Sequence, residues 1–461
     1  MKYCCHKCHK TFAQKGHFDD HMNRKRPCKK DNSIEELVEQ KVKEALSKTM
    51  ECINLIPQIN YYHKTREELI VICKERNIKG YSGKKKEDII NLLMPPVVDA
   101  SSVIVVREAP EKIHRLNYIG SKFQLLDWIT TNIKEKTGWT SFESKTVADI
   151  FAGTGIVSYH FRKLAAKVIS NDAELYSSII TYAFTRSIYT ELCQTIIDTF
   201  QKDINENKHY TTIGFITTHY SPYGSSDRRF FTIENAKRID YIRNQLEIIK
   251  GGLTEDEYKF ILASILLSAD AVSNVPAVYG CFLKNFKTKA TKNLVLKPIH
   301  NHTTPSINDS KSYHCDVLNM EFIGSFEADV VYLDPPYNER QYSKNYFPLN
   351  IIAKTPEQLL IEEPLKGKTG IPSDCFISPF CKKGPVVENA FDTLFRNIKS
   401  KWIFLSYNSE SIVSKEKMLE LMGQYGDVSV IERDYKRFKS YEYNEDLVIQ
   451  EYLFCLKKSV S

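Results

Sequence analysis

Residues 334–337, with the sequence Asp-Pro-Pro-Tyr, contain the side chains best suited to chemistry. The apolar run before them, residues 330–333, predicts a buried strand that ends at this corner. An aromatic amino group is a poor nucleophile, because its lone pair is delocalised into the ring. Asp334 and the backbone carbonyl of Pro335 could accept hydrogen bonds from such a group and direct its lone pair at a methyl donor. The segment therefore predicts methyl transfer to an amino nitrogen.

The other two residues of this segment suit the same chemistry. Pro335 and Pro336 fix the backbone, so that the carbonyl points outward with no competing donor. Tyr337 offers a face on which an extruded base could stack. A proline turn that only closes a strand would use the same residues, but the motifs upstream favour the chemical interpretation.

A glycine-rich turn follows another apolar run. Residues 147–151 predict a strand, and Gly153 and Gly155 come directly after it. Glycines at such a position let a ligand approach the backbone closely. Asp172, seventeen residues after Gly155, ends a second predicted strand and could accept hydrogen bonds from ribose hydroxyls. Each feature alone is compatible with a structural turn, but the pair indicates an adenosine-containing cofactor.

The order of these motifs resembles the α-class adenine-N6 DNA methyltransferases of the Dam/DpnII type. In that class a Y-x-G-S-K motif comes first, followed by the glycine motif, a recognition insert and D-P-P-Y. Residues 118–122, Tyr-Ile-Gly-Ser-Lys, occupy the first place. The resemblance implies S-adenosylmethionine as methyl donor and double-stranded DNA as substrate, with adenine N6 methylated at a specific site after base flipping. Residues 338–342 and 402–408 resemble a subgroup paired with type II restriction systems, which implies a cognate restriction endonuclease as partner.

The resemblance also implies two sets of site residues. The catalytic set is Asp334, Pro335, Pro336 and Tyr337. The cofactor-binding set is Asn117, Tyr118, Lys122, Asp149, Phe151, Gly153, Gly155, Asp172 and Asp316. Among these, Asn117, Tyr118 and Lys122 would touch the methyl donor or the phosphate-bearing strand, and Asp316 would lie near the cofactor adenine.

The implied fold is α/β, a Rossmann-like methyltransferase domain with a mixed sheet over residues 115–461. A mainly helical target-recognition region would occupy about residues 190–310. Cytosine N4 and RNA adenine present similar amino groups, so a methyltransferase acting on either is one alternative. A catalytically inactive DNA-binding protein is another, although the intact motifs argue against it.

The formal charge of the chain is concentrated at its N-terminal end. The whole chain carries +7, and residues 1–30 contain nine basic and two acidic residues, which alone give the same net charge. Clustered Lys and Arg are typical of proteins that bind nucleic acid.

The same 30 residues predict a small structural zinc site. Cys5 and Cys8 have C-x2-C spacing, twelve residues separate Cys8 from His21, and six separate His21 from Cys28. So short a segment cannot fold on its own apolar core, so zinc would have to stabilise it. A disordered basic tail with incidental cysteines is the alternative. The pattern resembles Cys-Cys-His-Cys fingers in proteins of large DNA viruses.

Three further regions are predicted between the finger and residue 115. An apolar stripe at helical spacing predicts a helical connector over residues 31–60. Residues 61–95 resemble the SAP-type DNA-binding hairpin, with a helix beginning after Thr65 and three lysines at 84–86 before a second helix. A plain helical hairpin with solvated lysines is the alternative. Residues 96–114 would form a linker.

Composition limits the class of protein. The 461 residues allow about three domains. Hydrophobic residues at 42% and charged residues at 26% exclude a mainly disordered or collagen-like chain. No apolar run approaches the roughly 20 residues of a membrane span, and residues 1–10 lack the apolar region of a secretory signal. The sequence predicts an intracellular protein, in the cytoplasm, nucleus or a viral replication compartment, without a membrane partner.

Overall fold

The computed structural model describes residues 3–4, 11–12, 14–23, 65–75, 81–86, 89, 113–303, 309–360, 365, 367–436 and 448–459. The chain divides into two compact units, Met1–Ala109 and Pro110–Ser461. The first unit includes the predicted finger and hairpin, and the second includes every predicted catalytic and cofactor residue. The predicted domain boundaries at residues 30, 60, 95 and 114 stay predictions.

The first unit opens with two short strands and a helix. These elements are β1 (Tyr3–Cys4), its antiparallel partner β2 (Thr11–Phe12) and α1 (Lys15–Met22). His21, a predicted zinc ligand, lies near the end of α1 and is buried. The other predicted ligands, Cys5, Cys8 and Cys28, and the connector 31–60 lie outside the described residues.

Helix α2 (Arg66–Glu75) begins directly after Thr65, as predicted. Leu69 on this helix and Ile89 are both buried. Arg66 Nε donates to the backbone carbonyl of Lys84 at 2.9 Å. This hydrogen bond joins the helix to the lysine-containing segment that follows it.

A mixed sheet of seven strands forms the centre of the described part of the second unit. Its strands are β3 (Thr146–Asp149), β4 (Lys167–Asp172), β5 (Lys311–His314), β6 (Ala328–Leu333), β7 (Ser400–Asn408), β8 (Gly426–Lys436) and β9 (Val448–Lys458). Their order across the sheet is β5-β4-β3-β6-β7-β9-β8. Strands β3 to β7 are parallel, and β9 is antiparallel to its neighbours β7 and β8. The predicted α/β, Rossmann-like class is confirmed.

The central strands are apolar on both faces because helices cover both sides of the sheet. On β6, Val330 and Tyr332 pack into one buried cluster, and Val331 and Leu333 pack into the other. The apolar run before Asp334 is therefore continuous instead of alternating.

The described helices of this unit fall on both sides of the sheet. They are α3 (Leu126–Thr137), α4 (Ile156–Arg162), α5 (Leu175–Thr185), α6 (Glu191–Asn205), α7 (Phe215–Tyr220), α8 (Ile233–Ile249), α9 (Glu255–Ala271), α10 (Met320–Gly324), α11 (Tyr342–Ala353), α12 (Pro356–Leu360), α13 (Pro385–Asn397) and α14 (Lys415–Gly423). Helices α6 to α9 lie within the region 190–310, which was expected to be mainly helical. Among the residues that the structure describes, no helix is long and apolar enough to cross a membrane.

Candidate active site

A crevice opens at the carboxyl ends of the parallel strands, where the strand order reverses between β3 and β6. From β3 the chain continues to β4 and β5 on one side, and from β6 it continues to β7 on the other. Loops diverge at such a point and leave a gap, which is where open α/β sheets bind their ligands. Residues at or after the ends of β3, β4, β5 and β6 all line the crevice.

The crevice brings together most of the predicted site residues. It contains all four predicted catalytic residues, Asp334, Pro335, Pro336 and Tyr337. Seven predicted cofactor residues also line it, namely Tyr118, Lys122, Asp149, Phe151, Gly153, Asp172 and Asp316. Gly155 lies beside it at the start of α4. Asn117 instead lines a second cavity that adjoins the crevice.

The turn after β3 requires glycine at two positions. Gly153 and Gly155 have φ values of +52° and +70°, in the left-handed region. A Cβ on Gly155 would also lie 3.0 Å from the Cα of Thr181. Asp172 stabilises this turn, because its Oδ2 accepts a hydrogen bond from the backbone N–H of Gly153 at 2.7 Å. Its Oδ1 accepts a hydrogen bond from the backbone N–H of Glu174 at 2.9 Å. Asp172 was predicted from its place after a strand, but its contact with the glycine turn was not.

Asp149, at the end of β3, has one satisfied and one unsatisfied carboxylate oxygen. Oδ2 accepts a hydrogen bond from Ser158 Oγ at 2.7 Å. Oδ1 is buried and has no hydrogen-bond partner among the described residues. Burial raises the pKa of this carboxyl to about 7, against the opposing effect of the Ser158 hydrogen bond. An unpartnered buried carboxylate oxygen on the wall of a crevice suits a ligand that donates a hydrogen bond.

Asp334 forms a salt bridge with Lys122, whose Nζ lies 2.9 Å from its Oδ1. Lys122 is only 5% exposed. Burial opposes the charge on Lys122, but the carboxylates of Asp334 and Glu451 raise its pKa well above the usual range. Burial raises the pKa of Asp334, and Lys122 lowers it in turn. Lys122 therefore favours the ionised form of Asp334.

Residues 118–122 lie against aromatic side chains at the D-P-P-Y corner and on helix α11. The Tyr118 ring stacks on Tyr346 with a centroid separation of 4.7 Å, and the Ile119 N–H donates to the Tyr346 hydroxyl at 3.1 Å. Gly120 has a φ of +82°, and a Cβ there would lie 3.3 Å from the Tyr337 ring. Glycine at this position lets the two motifs meet.

The second cavity shares Tyr118, Lys122 and Tyr337 with the crevice, so the salt bridge lies where the two spaces join. Asn117 lines this cavity, and its backbone N–H donates to Asp270 Oδ2 at 3.3 Å. The cavity also contains residues outside the two predicted sets of site residues. These include Lys289, Arg340, Asn408, Glu410 and Glu451.

Comparison with known proteins identifies the family. Residues 118–421 match the family described as D12 class N6 adenine-specific DNA methyltransferase, which is more than half of the chain. The chain belongs to this family. The D12-class enzyme therefore uses S-adenosylmethionine to methylate adenine N6 in DNA, as the motifs predicted. The family match favours this activity over the three alternatives, which were a cytosine-N4 enzyme, an RNA-adenine enzyme and an inactive DNA-binding protein.

Three curated relatives resemble the D12-class enzyme over about three quarters of its length. It is 38% identical over 344 residues to the type II methyltransferase M.CviAII of Paramecium bursaria Chlorella virus 1, which covers 74% of this chain and 98% of that protein. It is 38% identical over 327 residues to the type II methyltransferase M.NlaIII of Neisseria lactamica, covering 70% and 93%. It is 31% identical over 364 residues to the type II methyltransferase M.FokI of Planomicrobium okeanokoites, covering 75% and 53%.

Replacing Lys122 with methionine should slow methyl transfer by the D12-class enzyme by roughly 10- to 100-fold at neutral pH. Without the ammonium group, burial alone raises the pKa of Asp334, and a protonated Asp334 cannot accept the amino hydrogen bond. The loss should shrink as the pH rises and Asp334 ionises again. Single-turnover rates between about pH 6 and pH 9 test this. K167M, which removes a lysine at the start of β4, is the control, and a K122M defect of equal size at every pH would contradict the explanation.

Proposed function

We propose that the crevice binds S-adenosylmethionine and that the target adenine enters at the end where the crevice meets the second cavity. The observation that carries the proposal is the Lys122–Asp334 salt bridge at that junction, which is 2.9 Å long and joins the buried Lys122 to the partly exposed Asp334. It joins Asp334, which lines the crevice, to Lys122, which lines both spaces. An amino group that reaches this point from the second cavity would face a methyl donor held in the crevice.

The residues of the crevice suit S-adenosylmethionine, which supplies an activated, positively charged methyl group when bound. Among the residues that the structure describes, five acidic side chains and one basic side chain line the crevice. The acidic ones are Asp149, Asp172, Glu174, Asp316 and Asp334, and the basic one is Lys122. The unpartnered Oδ1 of Asp149 would accept a hydrogen bond from the ammonium group of the ligand. Phe151 and Asp316, which line the same crevice, would lie against its adenosine half.

The D-P-P-Y corner would hold the target base. Asp334 and the carbonyl of Pro335 accept the two N6 hydrogen bonds, and Tyr337 stacks on the flipped adenine. The backbone N–H of Ile412 donates to the carbonyl of Tyr337 at 3.0 Å, which fixes the corner against the loop after β7. A fixed corner supports catalysis because the acceptors are oriented before the base arrives.

Replacing Asp149 with asparagine should weaken S-adenosylmethionine binding by roughly 10- to 150-fold, the equivalent of a hydrogen bond to a charged group. The amide is isosteric, so Ser158 keeps its acceptor while the ligand ammonium loses one. Because the pKa of Asp149 is about 7, wild-type affinity should rise with pH through neutrality as the carboxylate ionises. Titration calorimetry should show that the affinity of D149N for S-adenosylmethionine lacks this part of the rise with pH.

D329N is the matched control for that experiment. Asp329 lies on β6, and its Oδ2 accepts the backbone N–H of Thr146 at 2.8 Å, away from the crevice. Unchanged affinity in D149N, or an equal loss in D329N, would contradict a direct contact between Asp149 and the cofactor.

The order of motifs supports the α class of the Dam/DpnII type, with residues 118–122 before the glycine motif and D-P-P-Y after the recognition region. Helices α6 to α9 and the lysine-containing stretch 284–297 between α9 and β5 would contact the DNA around the target. The type II relatives support a cognate restriction endonuclease as physiological partner. The enzyme would work inside the cell, in the cytoplasm, the nucleus or a viral replication compartment.

We further propose that residues 1–30 form a zinc finger and residues 61–95 a SAP-like DNA-binding hairpin. The strand-strand-helix order of β1, β2 and α1, with His21 buried, suits a finger in which Cys5, Cys8 and Cys28 supply the other ligands. The hydrogen bond from Arg66 to Lys84 supports a hairpin. Both modules would anchor the enzyme on DNA by a linked second contact.

The most direct test of the whole proposal is modification-sensitive sequencing of DNA from cells that express the protein. Methylated adenine within one short recurring sequence is the expected result. Methylation of cytosine, or of adenine without any sequence preference, would contradict it.

A further inference from the structure

Glu451 is a charged residue on the buried face of β9, where its neighbours are apolar. Leu453 and Cys455 point from this strand into the same buried cluster, and Glu451 shares their face because side chains alternate along a strand. It is only 5% exposed. Its Oε2 is buried without a hydrogen-bond partner among the described residues. A buried carboxylate oxygen without a partner costs stability, so a purely structural position would favour an apolar residue.

Glu451 lines the same cavity as Lys122, next to the catalytic corner. The charges act on each other, because the Glu451 carboxylate helps to raise the pKa of Lys122. Burial raises the pKa of Glu451, Lys122 lowers it, and Asp334 raises it further. When both carboxylates are ionised, these three side chains carry one positive and two negative charges.

Among the described residues Glu451 forms no salt bridge, so its charge acts on Lys122 across the cavity. On the sheet, Asn408 of β7 and Arg433 of β8 lie directly opposite, and the Arg433 guanidinium lies 6.0 Å from the Trp128 ring. Tyr337 faces the group from the D-P-P-Y corner. The remaining charged or titratable side chains of the cavity are His114, Arg115, Tyr118, Asp270, Lys289, Arg340 and Glu410.

We propose that Glu451 is a positioning residue for methyl transfer, whose carboxylate lies in the same cavity as Lys122, acts on its ammonium group together with Asp334, and gives the three side chains a net charge of −1 when both carboxylates are ionised. The inference rests on the assignment of Asp334 above. When the N6 lone pair forms the new C–N bond, the electron pair of the broken bond stays with the departing sulfur. N6 is then positively charged until one of its two protons leaves, with its bonding pair returned to nitrogen.

A group with a net negative charge stabilises that developing positive charge. Lys122 and Asp334 alone are neutral as a pair, so the surplus charge comes from Glu451. Asp334 is the acceptor for the proton, and Glu451 keeps Lys122 charged and in place while Asp334 changes its protonation state.

The test is E451Q, which removes the charge and keeps the size of the side chain. The single-turnover rate at about pH 8.5 should fall roughly 10- to 100-fold, with affinities for S-adenosylmethionine and DNA unchanged. As the pH falls, Glu451 protonates in the wild type, so the wild-type rate should converge on that of E451Q. E451D, which keeps the charge, should recover part of the rate.

E432Q removes the same charge from an exposed position on β8, where Glu432 pairs with Lys415, and should behave as the wild type. An E451Q rate within twofold of wild type, or a loss by the same factor at every pH, would overturn the proposal. Failure of the Asp334 assignment can be distinguished from failure of the Glu451 proposal. It would appear as full activity in an Asp334 variant, independently of the residue at position 451. Thermal unfolding of E451Q checks that this variant keeps the fold. If it does not, the rate of E451D, which keeps the charge, tests the proposal instead.

Discussion

Replacing Asp334 with alanine should reduce methyl transfer by about 10³-fold or more while S-adenosylmethionine and DNA still bind. The substitution removes the proposed acceptor of the N6 hydrogen bond and of the N6 proton. Both contributions apply to the transition state, in which the nitrogen becomes pyramidal and positively charged. The glycine turn and Asp149 are left intact, so the cofactor site should remain.

Transfer of a labelled methyl group to a duplex under single-turnover conditions measures this effect. D334N is the companion variant, because it keeps the size of the side chain beside the buried Lys122 and separates lost chemistry from lost packing. D329N, at the opposite end of β6, is the control and should keep its activity. Activity of both Asp334 variants within tenfold of the wild type would remove Asp334 from the catalytic set.

Two central residues of the site could be predicted from the sequence pattern, because Asp172 ends a predicted strand and Asp334 directly follows one. In the structure, Asp149, Asp172, Asp316 and Asp334 all lie at or just after the ends of four strands. The carboxyl ends of parallel strands meet at one edge of a sheet, so residues far apart in the chain are brought to one crevice. Asp149 and Asp316 were grouped with the other two only by the resemblance, because Asp149 lies within a predicted strand and the residues before Asp316 are mostly polar.

The partners of these residues could not be predicted in the same way. Glu451 reaches the site only because β9 lies antiparallel between β7 and β8 with Glu451 opposite Asn408. A shift of one residue would turn its side chain to the other face, and sequence alone does not set this register. The salt bridge of Lys122 with Asp334 joins residues 212 positions apart. Asn117 was grouped with the cofactor residues, but the structure puts it at the second cavity, where its backbone N–H contacts Asp270.

Deleting residues 1–109 should weaken DNA binding by on the order of 10²-fold or more at low salt and make it less dependent on salt. Residues 1–30 contain the entire net charge of the chain. If the finger and hairpin together contact about five phosphates, the slope of log affinity against log salt should fall by about 4.5. The rate at saturating DNA should change by less than about twofold, because the crevice lies wholly in the second unit.

A second pair of variants separates the zinc site from the charge. In the full chain, C5S/C8S removes two predicted ligands without changing the number of lysines and arginines, while C4S changes a cysteine outside the predicted set. If zinc organises the finger, C5S/C8S should lose one equivalent of zinc and most of the affinity that the deletion removes, and C4S should lose neither. If C5S/C8S keeps full affinity for DNA and only the deletion weakens it, then the basic residues suffice for binding without a folded finger. Equal salt slopes for the full and shortened chains would show that the second unit alone makes the phosphate contacts. Its net charge is close to zero, so it would have to present lysines and arginines locally.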